Sequence, residues 1–387
     1  MHPHGPHAGS ALRLLPLLLV LSGCSAPAGD PPAAQDTPPA PAPAADHAVP
    51  ASPANLTWGD FPADKEPVLR MQSGQTVRID TQDEDPVTWL GAQGIAPEDI
   101  PQEVMDFWAS REGRPREGRS GHVITGPIFV EGAEPGDVLE VQVLSLETMA
   151  SWGINNTSSR GGVLSAAYPG SRDGDEGLDI PPGTRHVIRT AMVGGREVAL
   201  FAPGIEIPLS PFMGIMAVAP ANPTVGEPGV TVPGVQGSRP PGVFGGNLDV
   251  KDLGVGSTLY LPVFHPGALF YVGDPHGVQG DGEVSGTALE QSLTGVFRIV
   301  LHKDRTLEGP RAENATHWII MGIDLDLDRA LQKSVLEVVA FLQEEKGMTP
   351  DKAFALASMA VDFRVAEAVD LTQVVTGFIP KGVFLDR

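Results

Sequence analysis

Apolar and polar side chains alternate over short segments in most of the chain, and Gly or Pro residues separate these segments. Alternation with a period of two is typical of half-buried strands, and nearly continuous apolar runs are typical of buried ones. The predicted strands span residues 77–81, 138–144, 187–193, 197–202, 214–219, 257–264 and 268–272. This rhythm predicts a mainly β fold in which two packed sheets form a sandwich-like arrangement.

A period near 3.6 residues replaces the alternation close to the C-terminus. Apolar residues recur at helical spacing over residues 328–345, after an acidic run at 324–328 that we interpret as a strand end followed by a helix cap. A second helix is predicted over residues 350–369, with proline at its first position. Residues 97–108 predict another short helix with acidic residues in its first turn. The expected fold therefore adds helices to the sheets, including a C-terminal helix pair.

The N-terminal segment has the features of an export signal. Arg13 precedes a short apolar core at residues 14–21, which is too short to span a bilayer. Residues 21–24, Leu-Ser-Gly-Cys, resemble the lipobox of bacterial lipoproteins, in which the peptide is cut before a cysteine that becomes lipidated. We predict a lipoprotein signal peptide over residues 1–23 and lipidation of Cys24; the alternative is an incidental cysteine near a cleavage site.

The next segment is rich in Pro and Ala and has almost no large apolar side chains. Such a composition cannot build a core, so residues 24–54 are predicted to form an extended tether. A single folded domain is expected over residues 55–387. We expect an exported protein that is lipid-anchored to a bacterial membrane, at the periplasmic or the extracellular face.

Charge and cysteine content narrow the classes of partner and mechanism. The 387-residue chain carries a net charge of -22, with 48 Asp and Glu against 26 Lys and Arg, and it has no basic cluster. Nucleic acid and anionic lipid surfaces are therefore poor partners, and membrane contact is expected only through the N-terminal anchor. Cys24 is the only cysteine, which excludes an intramolecular disulfide and a cysteine nucleophile in the folded body.

Candidate chemistry is concentrated in residues 273–283, Gly-Asp-Pro-His-Gly-Val-Gln-Gly-Asp-Gly-Glu. In extended backbone Asp274 and His276 project from one face, and Asp281 and Glu283 form a second such pair. Carboxylates beside an imidazole suit a divalent metal, and a carboxylate left uncoordinated suits a general base toward water. The competing interpretation is a polar β-turn in which Asp and Gly serve only turn geometry.

Several stretches, taken together and in order, resemble the acetamidase/formamidase family. The resembling segments are residues 122–141, 214–220, 246–249, 256–263 and 273–288, and the similarity extends over about residues 67–380. The resemblance implies hydrolysis of small linear amides, such as formamide or acetamide, to ammonia and a carboxylate. It also implies a fold of two packed sheets with added helices, a homo-oligomer and association with a divalent metal.

Individual residues match the family's motifs. The Gly-Asp-Pro-His…Gln-Gly-Asp-Gly-Glu motif corresponds to Asp274, His276, Gln279, Asp281 and Glu283. The His-Pro-Val-Thr-Gly-Pro-Ile motif corresponds to the segment that begins at His122, with Val123 in place of its proline. Ser285 stands where the family often has cysteine, so a thiol has no role at that position.

The resulting hypothesis divides the work of amide hydrolysis among these side chains. Asp274 and His276, with Asp83 from an acidic turn, hold a divalent metal; zinc or calcium is expected, and manganese also suits oxygen ligands. Glu283 is the general base and then the proton donor to the departing amine.

The remaining candidates position the reacting groups. His122 is assigned to the catalytic site, where it orients the amide together with Gln279, and Asn247 donates to the oxyanion. Asp281 is assigned to orient His276, with a metal-ligand role or a simple turn role as alternatives.

A binding function is the main alternative to catalysis. A lipid-anchored module of the same fold would bind a solute without cleaving it. The three carboxylates and the imidazole of the motif favour the enzyme, because a protein that only binds has no need of a general base. A serine hydrolase is disfavoured because the chain has no Gly-x-Ser-x-Gly elbow.

Overall fold

The computed structural model describes residues 43–83, 87–113, 121–157, 162–165, 168, 184–221 and 236–385. The predicted signal peptide, Cys24 and most of the predicted tether lie outside the described residues. In the described part of the chain, no helix is both long enough and apolar enough to cross a membrane.

Twenty strands and four α-helices make up this part of the chain. The strands are β1 (His47–Val49), β2 (Leu56–Trp58), β3 (Leu69–Met71), β4 (Thr76–Asp80), β5 (Val123–Val130), β6 (Val138–Thr148), β7 (Trp152–Thr157), β8 (Thr184–Val193), β9 (Arg196–Ala202), β10 (Ile205–Pro208), β11 (Phe212–Val218), β12 (Gly245–Asn247), β13 (Thr258–Pro262), β14 (Phe270–Val278), β15 (Leu289–Glu290), β16 (Leu293–His302), β17 (Arg311–Glu313), β18 (His317–Asp324), β19 (Asp362–Glu367) and β20 (Gln373–Pro380). The helices are α1 (Val87–Ala92), α2 (Gln102–Arg111), α3 (Leu327–Lys346) and α4 (Pro350–Ala360), and short 3₁₀ helices span Pro97–Asp99 and Lys381–Val383.

The strands form two large sheets. The first has nine strands in the order β1-β4-β16-β6-β13-β17-β18-β20-β19. The second has eleven, of which eight follow the order β10-β9-β8-β7-β15-β14-β11-β12, while β5 joins β14 to β2 and β3. Neighbouring strands are antiparallel except for β1 with β4 and β3 with β5. The prediction of a mainly β fold with two packed sheets is confirmed.

One apolar core lies between the sheets. Ile79 and Phe297 of the first sheet and Ile215 and Val272 of the second belong to the same buried cluster, and each is fully shielded from solvent. Burial of an aliphatic or aromatic side chain of this size contributes about 1.5–3 kcal/mol relative to exposure. The sandwich therefore supplies a rigid support for the polar residues that interrupt its second sheet.

The C-terminal helices cover the outer face of the first sheet. Successive residues of β18 show this: Ile319 points into the sandwich core, whereas Ile320 packs against α3 and α4. The carboxylate of Asp326 caps α3 by accepting from the backbone N–H of Arg329, and Gly347 ends the helix in the left-handed conformation. The predicted cap and the helix over residues 328–345 are confirmed.

Two predicted boundaries are wrong. The second C-terminal helix ends at Ala360 rather than at residue 369, because residues 362–367 pair antiparallel with β20 as a sheet strand. The tether was predicted to reach residue 54, but β1 pairs in parallel with β4 and is therefore part of the first sheet. The helix predicted over residues 97–108 is divided in the structure: a 3₁₀ turn spans Pro97–Asp99, and α2 begins only at Gln102.

Close packing of α3 on the sheet predicts a stability test at Gly322. A Cβ atom at this residue would lie 2.1 Å from the carbonyl oxygen of Ala330 and 2.2 Å from the backbone nitrogen of Ser334, both in α3. Gly322→Ala should lower the free energy of unfolding by about 2 kcal/mol or more, because the helix must move off the sheet. Urea denaturation measures the change.

The matched control is Gly309→Ala. Gly309 has no atom within 4 Å of its Cβ position, so its substitution should leave stability within about 0.5 kcal/mol of the wild type. Equal midpoints for the two variants would contradict the proposed contact between α3 and the sheet.

Candidate active site

Strand β14 carries the first part of the polar motif, residues 273–278, through the second sheet. It pairs with β5, β11 and β15 along its length. Asp274 and His276 lie together as predicted, with 3.3 Å between Asp274 Oδ1 and His276 Nε2. The imidazole of His276 is completely buried, and Phe212 meets it edge to face at 5.0 Å between ring centroids.

A second carboxylate faces the same imidazole nitrogen. Glu290 lies opposite His276 in the neighbouring strand β15, and its Oε2 is 3.1 Å from His276 Nε2. No sequence pattern singles out Glu290. The available signal is its position just beyond the family-like segment that ends at Ala288.

Gln279 fixes the orientation of the imidazole. Its side-chain Nε2 donates to the carbonyl oxygen of Asp249 at 2.8 Å, and a carbonyl can only accept. Gln279 Oε1 therefore faces His276 Nδ1, at 2.9 Å, and accepts its hydrogen. Gln279 is predicted to bind the substrate, but both ends of its side-chain amide already have partners within the protein. Because Gln279 occupies Nδ1 of His276, the other ring nitrogen, Nε2, is left for the two carboxylates.

Positive charge is favoured at His276 Nε2. Burial lowers the pKa of His276, but the carboxylates of Glu290 and Asp274 outweigh this effect and raise the pKa well above its usual value. Burial also opposes ionisation of Asp274, yet the His276 and His122 imidazoles lower its pKa to about 2. A bare nitrogen lone pair between two carboxylates is repulsive, so this point requires either a proton or a metal cation.

Asp249 brings another buried carboxylate to the cluster. Neither of its oxygens has a hydrogen-bond partner within the described part of the chain, and Oδ1 lies 3.9 Å from His276 Nδ1. Burial, with Glu283 and Asp274 nearby, raises the pKa of Asp249 well above its usual value. Asp249 therefore offers the cluster a buried carboxylate whose hydrogen-bonding capacity is unsatisfied among the described residues.

Gly214 makes room for two of these carboxylates. A Cβ atom on this residue of β11 would lie 2.3 Å from Asp249 Oδ1 and 2.7 Å from Asp274 Oδ2. The strand backbone can approach both side chains only because glycine has no side chain of its own.

Glu283 completes the inner cluster from the end of the motif. The segment is held in place because Gly282 N donates to the carbonyl of Ala366 at 2.9 Å and Gly282 O accepts from the N–H of Ala368 at 3.2 Å. Candidate ligand atoms of Glu283 lie within 4.8 Å of those of His276 and Glu290. Burial and then the neighbouring Asp370 raise the pKa of Glu283 well above its usual value, which is a property expected of an acid-base group.

Backbone strain coincides with the inner carboxylates. Asp249, Asp274 and Glu283 have φ angles of 45°, 52° and 44°, in the left-handed region that non-glycine residues rarely adopt. Such conformations cost about 1–3 kcal/mol each and are concentrated at functional sites. The surrounding sandwich holds all three in place.

An outer shell of polar contacts surrounds Asp370. Asn247 Nδ2 donates to Asp370 Oδ2 at 2.6 Å, and Arg239 Nε donates to Asp370 Oδ1 at 3.2 Å. Asn247 is the residue predicted to donate to an oxyanion, and in the structure its side-chain nitrogen donates to this carboxylate. The buried Glu367 was not predicted as a site residue, because the predicted helix 350–369 includes it, and Asp370 follows directly after that predicted helix.

His122 lies at the edge of the cluster. Its Nε2 is 4.0 Å from Asp274 Oδ2, and its Nδ1 is 3.0 Å from the hydroxyl of Ser238. The structure therefore brings together His122, Asp274, His276 and Glu283, as the sequence hypothesis required.

Two predicted site residues occupy other positions. Asp281 is exposed and pairs with Lys251 at 3.0 Å, so its predicted contact with His276 is wrong and Gln279 makes that contact instead. Asp83 is buried, and its N–H donates to the Ser292 hydroxyl. Asp83 belongs to none of the three acidic groups that, among described residues, are close enough to share a metal ion.

The donor chemistry fits a divalent cation. The groups Asp249–Asp274–His276 and His276–Glu283–Glu290 each bring an imidazole nitrogen and carboxylate oxygens within 4.8 Å of one another. The unpartnered oxygens of Asp249 and the two carboxylates that face His276 Nε2 give the inner cluster an excess of negative charge. Such a set suits zinc, manganese or calcium.

Comparisons with known proteins place the chain in a family. The sequence model of the acetamidase/formamidase family matches residues 56–227 and 234–386, and the chain belongs to this family. The formamidase of Methylophilus methylotrophus is 28% identical over 253 residues, which cover 56% of this chain and 57% of that protein. The acetamidase of Mycolicibacterium smegmatis is 30% identical over 199 residues, which cover 42% of this chain and 49% of that protein.

A solved structure agrees with this assignment. The acetamidase from Yersinia enterocolitica matches with a TM-score of 0.68 at 26% identity, covering 88% of this chain and 93% of that one. In sequence, by contrast, the chain spans about half the length of the curated relatives it matches.

The charge of the cluster predicts a pH dependence of stability in chelator-treated protein. The raised pKa of His276 contributes stability that is present below its unfolded value of 6.5 and is lost as the pH rises through the folded value. In the folded state Asp249 and Glu283 stay protonated to a higher pH than in the unfolded chain, so they also make stability decrease as the pH rises. Asp274 acts in the opposite direction, but only in the acid range between about 2 and 3.8.

The melting temperature in chelator should therefore fall between pH 6 and pH 9, as followed by differential scanning fluorimetry. Asp249→Asn should make the loss of stability above pH 3.8 smaller, because it removes one of the buried groups whose ionisation the fold opposes. A melting temperature that rises over this range would contradict the assignment of these protons.

Proposed function

We propose that this chain hydrolyses the carbon–nitrogen bond of small linear amides, releases ammonia, and uses a divalent metal ion. The observation that carries the proposal is the buried cluster of Glu283, His276, Asp274 and Glu290, in which an imidazole nitrogen faces two carboxylates. Membership of the acetamidase/formamidase family supports it, as do relatives named formamidase and acetamidase.

Amide chemistry sets three requirements for the site. Resonance makes the amide carbonyl a weak electrophile, so its oxygen must be polarised. Water must be deprotonated as it attacks, and the nitrogen must be protonated before it can leave. A cluster that combines a cation with a carboxyl group of raised pKa meets all three.

His276, Asp274 and Glu290 are the residues that would hold the metal, with Asp249 as a further oxygen donor. When bound, the ion supplies positive charge that polarises the substrate carbonyl. The hydrogen bond from Nδ1 to Gln279 keeps His276 in the tautomer whose Nε2 is available as a ligand.

Glu283 is the proposed general base and general acid. In its ionised form it accepts a proton from the attacking water, and in its neutral form it delivers that proton to the amide nitrogen. The second hydrogen of the water stays on the new carboxylic acid, which ionises after it forms. The direct products are therefore the acid and ammonia, and each turnover returns Glu283 to its ionised form. His122, next to Asp274, is placed to orient the bound amide.

Replacement of the proposed base tests this assignment. Glu283→Gln keeps the shape of the side chain but cannot accept a proton, so kcat for ammonia release should fall at least about 1000-fold. Asp281→Asn, two residues away, removes only the surface ion pair with Lys251 and should change kcat less than twofold. Normal turnover in Glu283→Gln, with an unchanged circular dichroism spectrum, would eliminate Glu283 as the base.

Metal content gives an independent test. The purified protein should contain a stoichiometric divalent metal by mass spectrometry, and Asp274→Asn or Glu290→Gln should lower its affinity for that metal at least about 10-fold. Asp281→Asn should retain the wild-type affinity. Chelation should abolish ammonia release and added metal should restore it; full activity in metal-free protein would refute metal assistance.

We also propose that the protein is exported and lipid-anchored through Cys24, and that it forms a homo-oligomer. The first part rests on the lipobox-like residues 21–24. The second rests on the family resemblance alone.

A further inference from the structure

A pocket opens directly above the proposed general base. It has a volume of about 410 Å³, and Glu283 and Gln279 lie among its lining residues. The other polar side chains of its wall come from Asn155, Asp281, Ser285 and Thr287. The pocket therefore connects the buried cluster with the surface of the second sheet.

The rest of the wall is apolar. Ile188, Ile207, Val278 and Leu289 line the pocket, and they belong to a small hydrophobic cluster that is separate from the sandwich core. This cluster joins strands β8 and β10 to β14 and β15, which carry the acidic motif and Glu290. The wall is thus built from the same sheet as the proposed catalytic residues.

Two large apolar side chains of the lining are exposed. Phe201 of β9 retains 54% of its surface and Val284, next to Glu283, retains 58%. A bound apolar group would remove this surface from water, which is favourable at about 25 cal/mol per Å².

The polar side chains of the wall already have partners within the protein. Asp281 pairs with Lys251 at 3.0 Å. Asn155 Nδ2 donates to the hydroxyl of Thr287 at 3.2 Å and to the carbonyl of Ala288 at 2.8 Å, and it lies 3.4 Å from the Ser285 hydroxyl. These groups hold one another rather than presenting free donors to a ligand. Recognition in the body of the pocket is therefore left mainly to the apolar walls.

The pocket volume exceeds what the smallest amides need. Acetamide has four non-hydrogen atoms and occupies on the order of 100 Å³, if each takes about the volume of a water molecule in the liquid. Pockets that enclose larger organic molecules begin at about 300 Å³. Formamide or acetamide would leave most of this pocket filled with water against apolar walls.

We propose that the pocket takes the apolar acyl group of a primary amide, with hexanamide and phenylacetamide as representatives of the substrate class. This inference rests on the proposed amide hydrolysis. The amide group lies at the floor near Glu283, because desolvating it against the apolar walls would be unfavourable. The acyl chain extends toward Phe201.

Ammonia release from a homologous series tests the substrate class. The value of kcat/KM should rise about three- to fourfold with each added methylene from acetamide through butanamide to hexanamide, and reach on the order of 100-fold in total. Phenylacetamide should also exceed acetamide. If formamide or acetamide has the highest kcat/KM, the inference is overturned although the proposed function stands.

Variants at the pocket mouth test its location. Phe201→Ala and Phe201→Asp should lower kcat/KM for hexanamide about 10-fold or more and change the value for acetamide less than twofold. Phe354→Ala is the matched control, because Phe354 is similarly exposed, at 60%, but lies on α4 and outside the pocket lining. Equal losses for both amides, accompanied by a change of oligomeric state, would assign Phe201 to a subunit contact and overturn the inference.

Binding without turnover separates the two hypotheses. Calorimetry with the Glu283→Gln variant should show that hexanamide binds more tightly than acetamide, and that adding Phe201→Ala removes the difference. If the wild type releases no ammonia from any amide, the proposed function fails, while this binding pattern still supports an acyl pocket. Equal or absent binding of the two amides overturns the pocket assignment.

Discussion

The interaction on which the site depends is the placement of two carboxylates against one buried imidazole nitrogen. Asp274 and Glu290 lie 3.3 and 3.1 Å from His276 Nε2, and Gln279 commits the other nitrogen, Nδ1, to a hydrogen bond. Removal of these charges from water is costly unless each is paired. A cation at Nε2, whether a proton or a metal ion, relieves that cost, and the same positive charge is what amide hydrolysis requires.

The sandwich holds this arrangement in spite of its strain. Asp249, Asp274 and Glu283 adopt left-handed backbone conformations, and Gly214 lets a neighbouring strand pass close to two of the three side chains. A core built from both sheets is large enough to offset such local costs. Asp274, His276 and Glu290 lie on strands, whereas Asp249 and Glu283 lie in segments that follow strands. Placement of the imidazole and of the two carboxylates that face it on strands favours their precise positioning.

In the proposed function, the fold also separates the chemistry from the recognition of the acyl group. Strands β14 and β15 contribute His276 and Glu290 to the buried cluster, and their residues Val278 and Leu289 join the apolar wall beside Ile188 of β8. One pair of neighbouring strands thus places charged side chains toward the interior and apolar side chains along the pocket. Changes in the wall can alter the preferred acyl group without altering the acidic cluster.

Local patterns in the sequence determined the elements, and the tertiary structure decided the composition of the site. Alternation, the Asp326 cap and the Gly-Asp-Pro-His motif depend on neighbours within a few residues, so they predicted the strands, α3, and the pairing of Asp274 with His276. The local pattern of residues 362–367 predicted a helix, but in the fold these residues pair with β20 as a strand. Asp370 follows this strand and lies close to Asp249 and Glu283. Contacts between segments that are distant in the sequence bring three residues to the cluster, namely Glu290, Asp249 and Gly214, and a local pattern cannot predict such contacts. Asp281 pairs with Lys251 instead of with His276.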